Sequence, residues 1–117
     1  MQNPENHLTD ISTFMALDIR VGRITKVEKN EKAIKPAYKL YIHFGDEIGE
    51  KQSSAQLCQN YTEEQLIGRQ ILAIINFPPR RVAGFKSEVL VLAAVCDNEG
   101  TILIQPEKHV TLGTRML

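Results

Sequence analysis

The interior of this chain holds a single helix signal, and this scarcity limits the folds open to it. Thr62, Glu63 and Gln65 belong to a capping box, in which the first and last side chains bond each other's backbone N–H groups. Gly68 follows as a stop signal, so the pattern predicts a helix of two or three turns. A parallel sheet needs helical crossovers, and one internal helix cannot supply them. The chain is therefore predicted to be mainly β.

Strand patterns lie on both sides of this helix. The clearest covers residues 38–44, where apolar side chains alternate with Lys39, Tyr41 and His43. In the first strand the apolar phase changes at Gly22, which predicts a bulge or bend there. An almost unbroken apolar run within the fourth strand is typical of a strand buried on both faces. The predicted strands cover residues 18–27, 38–44, 50–56, 69–77 and 87–96, with shorter extended pieces at 101–105 and 110–116.

This order of elements predicts one small barrel. Three strands, a helix and two further strands are the arrangement of the OB fold, so the predicted fold class is an all-β (mainly β), five-stranded OB-fold barrel with a short helix between strands 3 and 4. Thr9 or Asp10 caps a second short helix near the N-terminus. This helix either plugs one end of the barrel or packs against a partner subunit. Residues 1–117 are predicted to form a single domain, with 1–8 flexible and 110–117 an accessory segment.

Charge balance and the lack of catalytic motifs restrict the function classes. The chain has 14 basic and 14 acidic residues, whereas a non-specific nucleic-acid binder usually carries a basic excess, so any nucleic-acid role would depend on a local patch. Glycine-rich phosphate loops, nucleophile elbows and His-Glu-x-x-His motifs do not occur in the sequence. Glu63 and Glu64 lie in the first turn of the predicted helix, where the helix dipole favours acidic residues, so they do not require a catalytic role. An enzyme is therefore disfavoured, and no catalytic residue is predicted.

The cysteines and histidines give no sign of a metal or cofactor site. Cys58 and Cys96 lie far apart among apolar neighbours, which favours small buried thiols in a reducing compartment. The three histidines are scattered without the spacing of metal ligands. The N-terminus lacks the pattern of a signal peptide, and no apolar run is long enough to cross a bilayer. We expect a cytoplasmic protein without membrane insertion, metal or cofactor.

Residues 76–88 carry most of the chemistry that could bind a ligand. The part between residues 78 and 85 lacks strand propensity and is predicted to be a loop. Pro78 and its neighbouring proline stiffen this loop, which lowers the entropy lost on binding. Arg80, Arg81 and Lys86 supply donors for phosphates, carboxylates or peptide carbonyls. The alternative, solvated arginines without a ligand, is less favoured because acidic residues nearby are few.

The aromatic and acidic residues of this segment leave alternatives open. Phe77 and Phe85 offer flat apolar faces for a base or a side chain, but Phe77 is equally well explained as a core residue. Glu88 is unusual at the start of an apolar strand. It either forms a buried ion pair with Arg80 or Lys86, or contacts the ligand.

The polar third strand offers a second set of donors and acceptors. Ser53 and Ser54, together with Asn76, form a plausible hydrogen-bonding surface, because OB barrels bind ligands along the face that contains strands two and three. The alternative is that this strand is simply the solvated wall of the barrel.

Several stretches resemble the tRNA-binding-domain family. They are LDIRVG at residues 17–22, KQSSAQ at 51–56, NFPPRR at 76–81 and AGFKSEVL at 83–90. The later stretches are similar to the CsaA-type branch, which comprises export-related chaperones. Other relatives carry a Val-Ser-Gly-like stretch near Ser53 and a Leu-Lys-Pro-Arg-Lys-like stretch at 77–81, where this chain has a proline in place of a lysine.

The resemblance implies an OB-fold homodimer that binds unfolded or precursor polypeptides and is linked to protein export. The N-terminal helix and residues 110–117 are the expected contributors to the dimer contact. By position in the family, tRNA contacts would fall on Ser53, Asn76, Arg80, Arg81, Lys86 and Ser87.

Two functions from different classes follow. In the leading hypothesis the protein is a dimeric peptide-binding chaperone, with apolar side chains of the client near residues 77–85 and polar groups bonded by the basic residues. In the alternative the same surface binds tRNA, and steep salt dependence would distinguish it. A structural adaptor is a distant third. The predicted peptide- or tRNA-binding residues are Ser53, Ser54, Asn76, Phe77, Pro78, Arg80, Arg81, Phe85, Lys86, Ser87 and Glu88.

Overall fold

Within residues 7–117, which the computed structural model describes, the chain forms two short helices and nine strands. In chain order they are α1 (Ile11–Met15), β1 (Ile19–Lys29), β2 (Tyr38–His43), β3 (Glu50–Ala55), α2 (Glu63–Leu66), β4 (Gln70–Ile74), β5 (Arg80–Val82), β6 (Phe85–Ser87), β7 (Leu90–Val91), β8 (Ala93–Cys96) and β9 (Gly100–Leu103). Most of the predicted flexible segment, residues 1–6, lies outside the described residues.

Five of these strands form one sheet that curls into a nearly closed barrel. Their order is β3-β2-β1-β4-β7, and every neighbouring pair is antiparallel. The 11-residue β1 lies at the centre, because its second half pairs with β2 and its first half with β4. The helix α2 lies between the third and fourth strands. The predicted OB-type barrel with this helix placement is confirmed.

Apolar side chains from β1, β2 and β4 fill the interior of the barrel. The alternation predicted in β2 is confirmed, because Leu40 and Ile42 are fully buried while Lys39, Tyr41 and His43 are half-buried. Leu66 brings α2 into the same core. All five residues of β4 are buried, as predicted for a strand covered on both faces. Each large apolar side chain buried in this way contributes about 1.5–3 kcal/mol to stability.

A second, smaller apolar cluster lies on the outer face of the barrel. Its buried members are Ile19 and Val21 of β1 and Leu72 and Ile74 of β4, and the two β4 residues alternate with the interior residues Ile71 and Ala73. The helix α1 covers this cluster with Phe14, and the C-terminal segment covers it with Leu112. The N-cap of α1 is Asp10, whose carboxylate accepts a hydrogen bond from the N–H of Thr13 at 3.2 Å. The helix α1 therefore packs on the outside of the barrel, so the predicted plug is wrong, while its packing against a partner subunit stays a prediction.

Asp18 links α1 and the C-terminal segment to β1. Its Oδ1 lies 2.6 Å from Nε of Arg20 and 3.7 Å from Nε of Arg115. The guanidinium of Arg115 also donates to the carbonyls of Met15 and Leu17, at 2.8 and 3.2 Å. The extended piece predicted at residues 110–116 is not a strand, because its only ladder pairing among the described residues is an isolated bridge between Arg115 and Arg20.

The bend in β1 lies beyond the predicted position. The register between β1 and β2 shifts between Ile24 and Lys26, whereas Gly22 pairs regularly with Ile71 of β4. The apolar phase changes at Gly22 because Val21 faces the outer cluster while Ile24 faces the interior. The predicted bulge at Gly22 is therefore wrong. The apolar pattern changes phase there because the strand changes the face on which its apolar residues are buried.

Other predicted elements also differ from the structure. The helix α2 has only four residues, because Ile67 leaves helical geometry and Gly68 has a φ of 87°. The strand predicted at 87–96 is divided, since β7 pairs with β4 whereas β8 pairs with β9 in a separate hairpin. Cys96 lies at the end of β8 in that hairpin and is exposed, donating to the carboxylate of Glu99, so the prediction of a buried thiol is wrong there. Cys58 is half-buried.

Candidate binding surface

The segment predicted as a loop contains a β-hairpin. β5 and β6 pair in antiparallel register around the two-residue turn Ala83-Gly84. Both turn residues have positive φ, 49° and 81°, as in the type I′ turns whose twist matches a hairpin. Sequence reasoning missed this hairpin because alanine rarely occupies such a position and the prolines before it indicate a loop.

The register of the hairpin gives it two faces. On the inner face Phe85 and Ser87 are buried toward the barrel, and Arg80 is paired across from Ser87. On the outer face Arg81 and Lys86 lie directly opposite each other, and both are exposed. Like charges in this position weaken a hairpin. Arg81 donates from Nη1 to the carbonyl of Gly84 in the turn at 3.2 Å, which offsets part of this repulsion.

Ser87 and Glu88 join the hairpin to β3 and thereby close the barrel. The N–H of Ser54 donates to Oγ of Ser87 at 3.1 Å, and the N–H of Gln52 donates to Oε1 of Glu88 at 3.2 Å. The N–H of Glu88 in turn donates to the carbonyl of Gln52 at 2.8 Å. These bonds satisfy edge groups of β3 that would otherwise need another strand or water. Within residues 7–117 Glu88 forms no ion pair, so the pairing predicted with Arg80 or Lys86 is absent.

The two phenylalanines of the segment have different environments. Phe85 is buried edge-on against Tyr41, with ring centroids 6.0 Å apart, and Nζ of Lys39 lies 5.4 Å from its centroid. Burial, followed by the hydrogen bond to Glu28, raises the pKa of Tyr41 above its ordinary value. Phe77 is 42% exposed. Phe77 is therefore the aromatic side chain that a ligand can reach.

Two polar residues of the predicted site are bonded within the chain. The side-chain amide of Asn76 accepts a hydrogen bond from the N–H of Asp18 and donates to the carbonyl of Ala16, both at 2.9 Å. Ser53 is only 2% exposed and pairs with Leu40 on the interior side of β3. Asn76 thus fixes the entry to β1, and Ser53 lies in the barrel wall.

An apolar cleft of about 490 Å³ opens beside the inner face of the hairpin. Its lining residues are Ser54, Phe77, Pro78, Pro79, Arg80, Ser87, Glu88, Val89 and Leu90. Six of them belong to the predicted site, which the fold thus brings together around one opening. We refer to this space as the apolar cleft. The contribution of Leu90 to it was missed, because the sequence predicts a continuous buried strand there.

A larger groove of about 950 Å³ continues from the apolar cleft. Ser54, Arg80 and Leu90 line both spaces. The groove also contacts Ile34, which is fully exposed, and Val95, which is 80% exposed. Its basic lining residues are Lys32, Lys35 and Arg80, and no acidic residue lines it in the described part of the chain. The cleft and groove together offer an elongated apolar surface with a basic rim.

The neutral net charge conceals a local basic surface. Residues 26–39 and 80–86 carry eight of the 14 basic residues but only two of the 14 acidic ones. The fold brings these segments together, since Nδ2 of Asn30 donates to the carbonyl of Val82 at 3.3 Å. The hairpin turn also lines one pocket with three lysines, Lys29, Lys32 and Lys39, and one acidic residue, Glu31. We refer to Lys26, Lys29, Lys32, Lys35, Lys39, Arg80, Arg81 and Lys86 as the basic face.

Clusters of metal ligands are not what distinguishes this surface. In the part of the chain that the structure describes, no group of three potential metal ligands lies together. Across the same residues, none of the helices has the length and apolar character needed to span a bilayer. The distinguishing features are the apolar cleft, the groove and the basic face, all of which suit the binding of another molecule.

A nearly closed OB-like barrel with these surfaces places the protein among the OB-like binding domains. Within that class, the chain belongs to the family described as "Putative tRNA binding domain", whose model matches residues 19–115. The family resemblance indicated by the sequence is thus confirmed.

Solved structures with this fold include two chaperones. The structure is similar to the chaperone CsaA from Bacillus anthracis, with 47% sequence identity, coverage of 94% of this chain and 99% of that chain, and a TM-score of 0.88. It is also similar to the CsaA chaperone protein from Picrophilus torridus, with 45% identity, coverage of 94% and 100%, and a TM-score of 0.87.

Curated relatives include much longer proteins. The methionine–tRNA ligase of Archaeoglobus fulgidus is 39% identical over 106 residues, which are 91% of this chain but only 16% of that protein. The chain therefore spans about one sixth of the length of the curated relatives it matches.

Proposed function

We propose that this protein is a cytoplasmic, CsaA-type chaperone that binds unfolded or precursor polypeptides, is linked to protein export and catalyses no reaction. The observation that carries the proposal is the apolar cleft, in which the exposed ring of Phe77 and the rigid Pro78-Pro79 pair lie beside Arg80. The similarity to the two CsaA chaperones over nearly their whole length supports it.

The apolar cleft has the properties that an extended polypeptide requires. Its volume of about 490 Å³ suits a few side chains rather than a folded surface. Phe77 and Leu90, 42% and 43% exposed, offer apolar contact at little conformational cost. Arg80 supplies several N–H donors for main-chain carbonyls or acidic side chains. Because the prolines fix the backbone beforehand, less entropy is lost when a client binds.

Replacing Phe77 with alanine is expected to weaken polypeptide binding by about tenfold or more. A partly exposed aromatic side chain at the centre of a binding cleft commonly contributes this much to affinity. Fluorescence anisotropy of a labelled, reduced and unfolded polypeptide measures the effect. The control is Ile67→Ala, since Ile67 is 52% exposed and lines neither the apolar cleft nor the groove. Equal affinities for the Phe77 variant and the parent would show that the client binds elsewhere.

We also propose that the protein is a homodimer through α1 and the C-terminal segment. Three apolar side chains of this region are strongly exposed, Ile11 by 72%, Met15 by 42% and Leu117 by 80%. A second copy would remove them from water. Sedimentation velocity at micromolar concentration is expected to give twice the 13.2 kDa mass of the chain. The variant Ile11→Asp should sediment as a monomer, and a monomeric parent would contradict the proposal.

Structure-specific tRNA binding is the second candidate, and the basic face favours it. Eight cations on two adjoining segments can neutralise several phosphates despite the neutral net charge. Membership of a family described as tRNA-binding supports this candidate at the level of the domain. Because the apolar cleft and the basic face share Arg80, the two candidates are not independent.

A further inference from the structure

We infer that an RNA on the basic face and an unfolded polypeptide in the apolar cleft exclude each other, so that RNA regulates polypeptide binding. This inference rests on both the proposed function and the second candidate. The observation behind it is that one hairpin, β5–β6, serves both surfaces. Its inner face forms a wall of the apolar cleft, and its outer face presents Arg81 and Lys86.

The apolar cleft and the basic face meet at the β5–β6 hairpin, because Arg80 belongs to both. Arg80 lines the apolar cleft and the groove, while Arg81, the next residue, points to the opposite face. The hairpin contacts the 29–39 segment through the bond from Nδ2 of Asn30 to the carbonyl of Val82, the last residue of β5. A phosphate backbone that follows the cations of both segments therefore passes along the hairpin. Because Lys32, Lys35 and Arg80 also line the groove, a backbone bound to these three cations occupies its basic side.

The charges around the groove favour competition over simultaneous binding. Lys32, Lys35 and Arg80 line it without an acidic residue, and within residues 7–117 none of the three forms an ion pair. These cations can neutralise phosphates or bond the carbonyls and carboxylates of a polypeptide. One guanidinium or ammonium group cannot fully satisfy both ligands. The ligand that binds first therefore weakens the attraction for the other.

Competition between the two ligands can be measured directly. A fluorescently labelled, reduced and S-alkylated polypeptide of near-neutral net charge is titrated with the full chain, and total tRNA is titrated separately. The polypeptide titration is then repeated in the presence of tRNA. Exclusive binding raises the apparent Kd of the polypeptide about elevenfold when tRNA is present at ten times its own Kd. The labelled polypeptide with tRNA alone serves as the blank.

A matched pair of variants separates competition from indirect effects. Lys26→Gln combined with Lys29→Gln removes two cations that line neither the apolar cleft nor the groove. This variant should bind tRNA more weakly, and the tRNA concentration needed to displace the polypeptide should rise by the same factor as its Kd for tRNA. Its affinity for the polypeptide should stay unchanged. Phe77→Ala should have the reverse effect, with weaker polypeptide binding and unchanged tRNA binding.

The possible outcomes can be told apart. The inference is supported if tRNA displaces the polypeptide, and if the midpoint of this displacement changes in proportion to the Kd for tRNA across the parent and the variants. Simultaneous binding, seen as undiminished polypeptide affinity with saturating tRNA, overturns it while leaving the proposed function intact. If the parent binds no polypeptide, the proposed function and the inference both fail. If it binds no tRNA, the second candidate and the inference fail together.

Discussion

Replacing Gly22 with alanine is expected to lower the free energy of unfolding by about 2–3 kcal/mol, near the upper end of overpacking effects. A Cβ at this position would lie 2.6 Å from Cγ2 of Ile42 and 2.7 and 2.8 Å from two ring carbons of Phe44. Both neighbours are essentially unexposed, so neither can move aside without disturbing the core. Urea unfolding, with the midpoint and slope compared between variant and parent, measures this loss.

Gly49→Ala is the matched control for that substitution. Gly49 has a φ of 78°, but a Cβ there would meet nothing within 4 Å. Its replacement therefore costs only the strain of a left-handed alanine, about 1–2 kcal/mol. If Gly22→Ala destabilised the protein no more than Gly49→Ala, the close contact of β1 with β2 would be looser than the structure indicates.

The barrel was predictable because each of its strong signals is local. The alternation at 38–44 and the apolar run within 69–77 report the burial of β2 and β4 directly. The capping box at Thr62 places α2, with the predicted side-chain bonds in both directions. At Gly22 the sequence does show the change of apolar phase, but this change comes from a different buried face and not from a bulge. The close approach of Ile42 in β2 and of Phe44 just after it requires this glycine, and within its own strand such a glycine gives the same pattern as a bulge.

The functional surface was only partly predictable, because it depends on contacts between distant segments. Residues 76–88 stood out by composition, yet the closure of the barrel by Ser87 and Glu88 requires the position of β3. The basic face combines residues 26–39 with the hairpin, and the sequence alone does not reveal that these segments touch. A neutral net charge thus argued against nucleic-acid binding, whereas the folded distribution of charge permits it.

Arg81 and Lys86, the exposed pair of the hairpin, provide the sharpest test of whether the basic face binds RNA. We expect the double variant Arg81→Ala, Lys86→Ala to bind tRNA on the order of tenfold to a hundredfold more weakly at about 0.1 M salt. The slope of log affinity against log salt should become less steep by about 2, because two phosphate contacts are lost. Titrations with total tRNA across a salt series measure both quantities. Unfolding should become slightly less favourable, since the variant removes two like charges that face each other.

Lys108→Ala is the control for this pair, because Lys108 is exposed and lies after β9, outside the basic face, the apolar cleft and the groove. It alters the net charge of the chain without altering the hairpin, so its salt slope should match that of the parent. If the control and the double variant lost similar affinity, tRNA would be attracted by overall charge alone. An unchanged salt slope in the double variant would contradict phosphate binding by the hairpin, and the basic face would then lose its support as an RNA-binding surface.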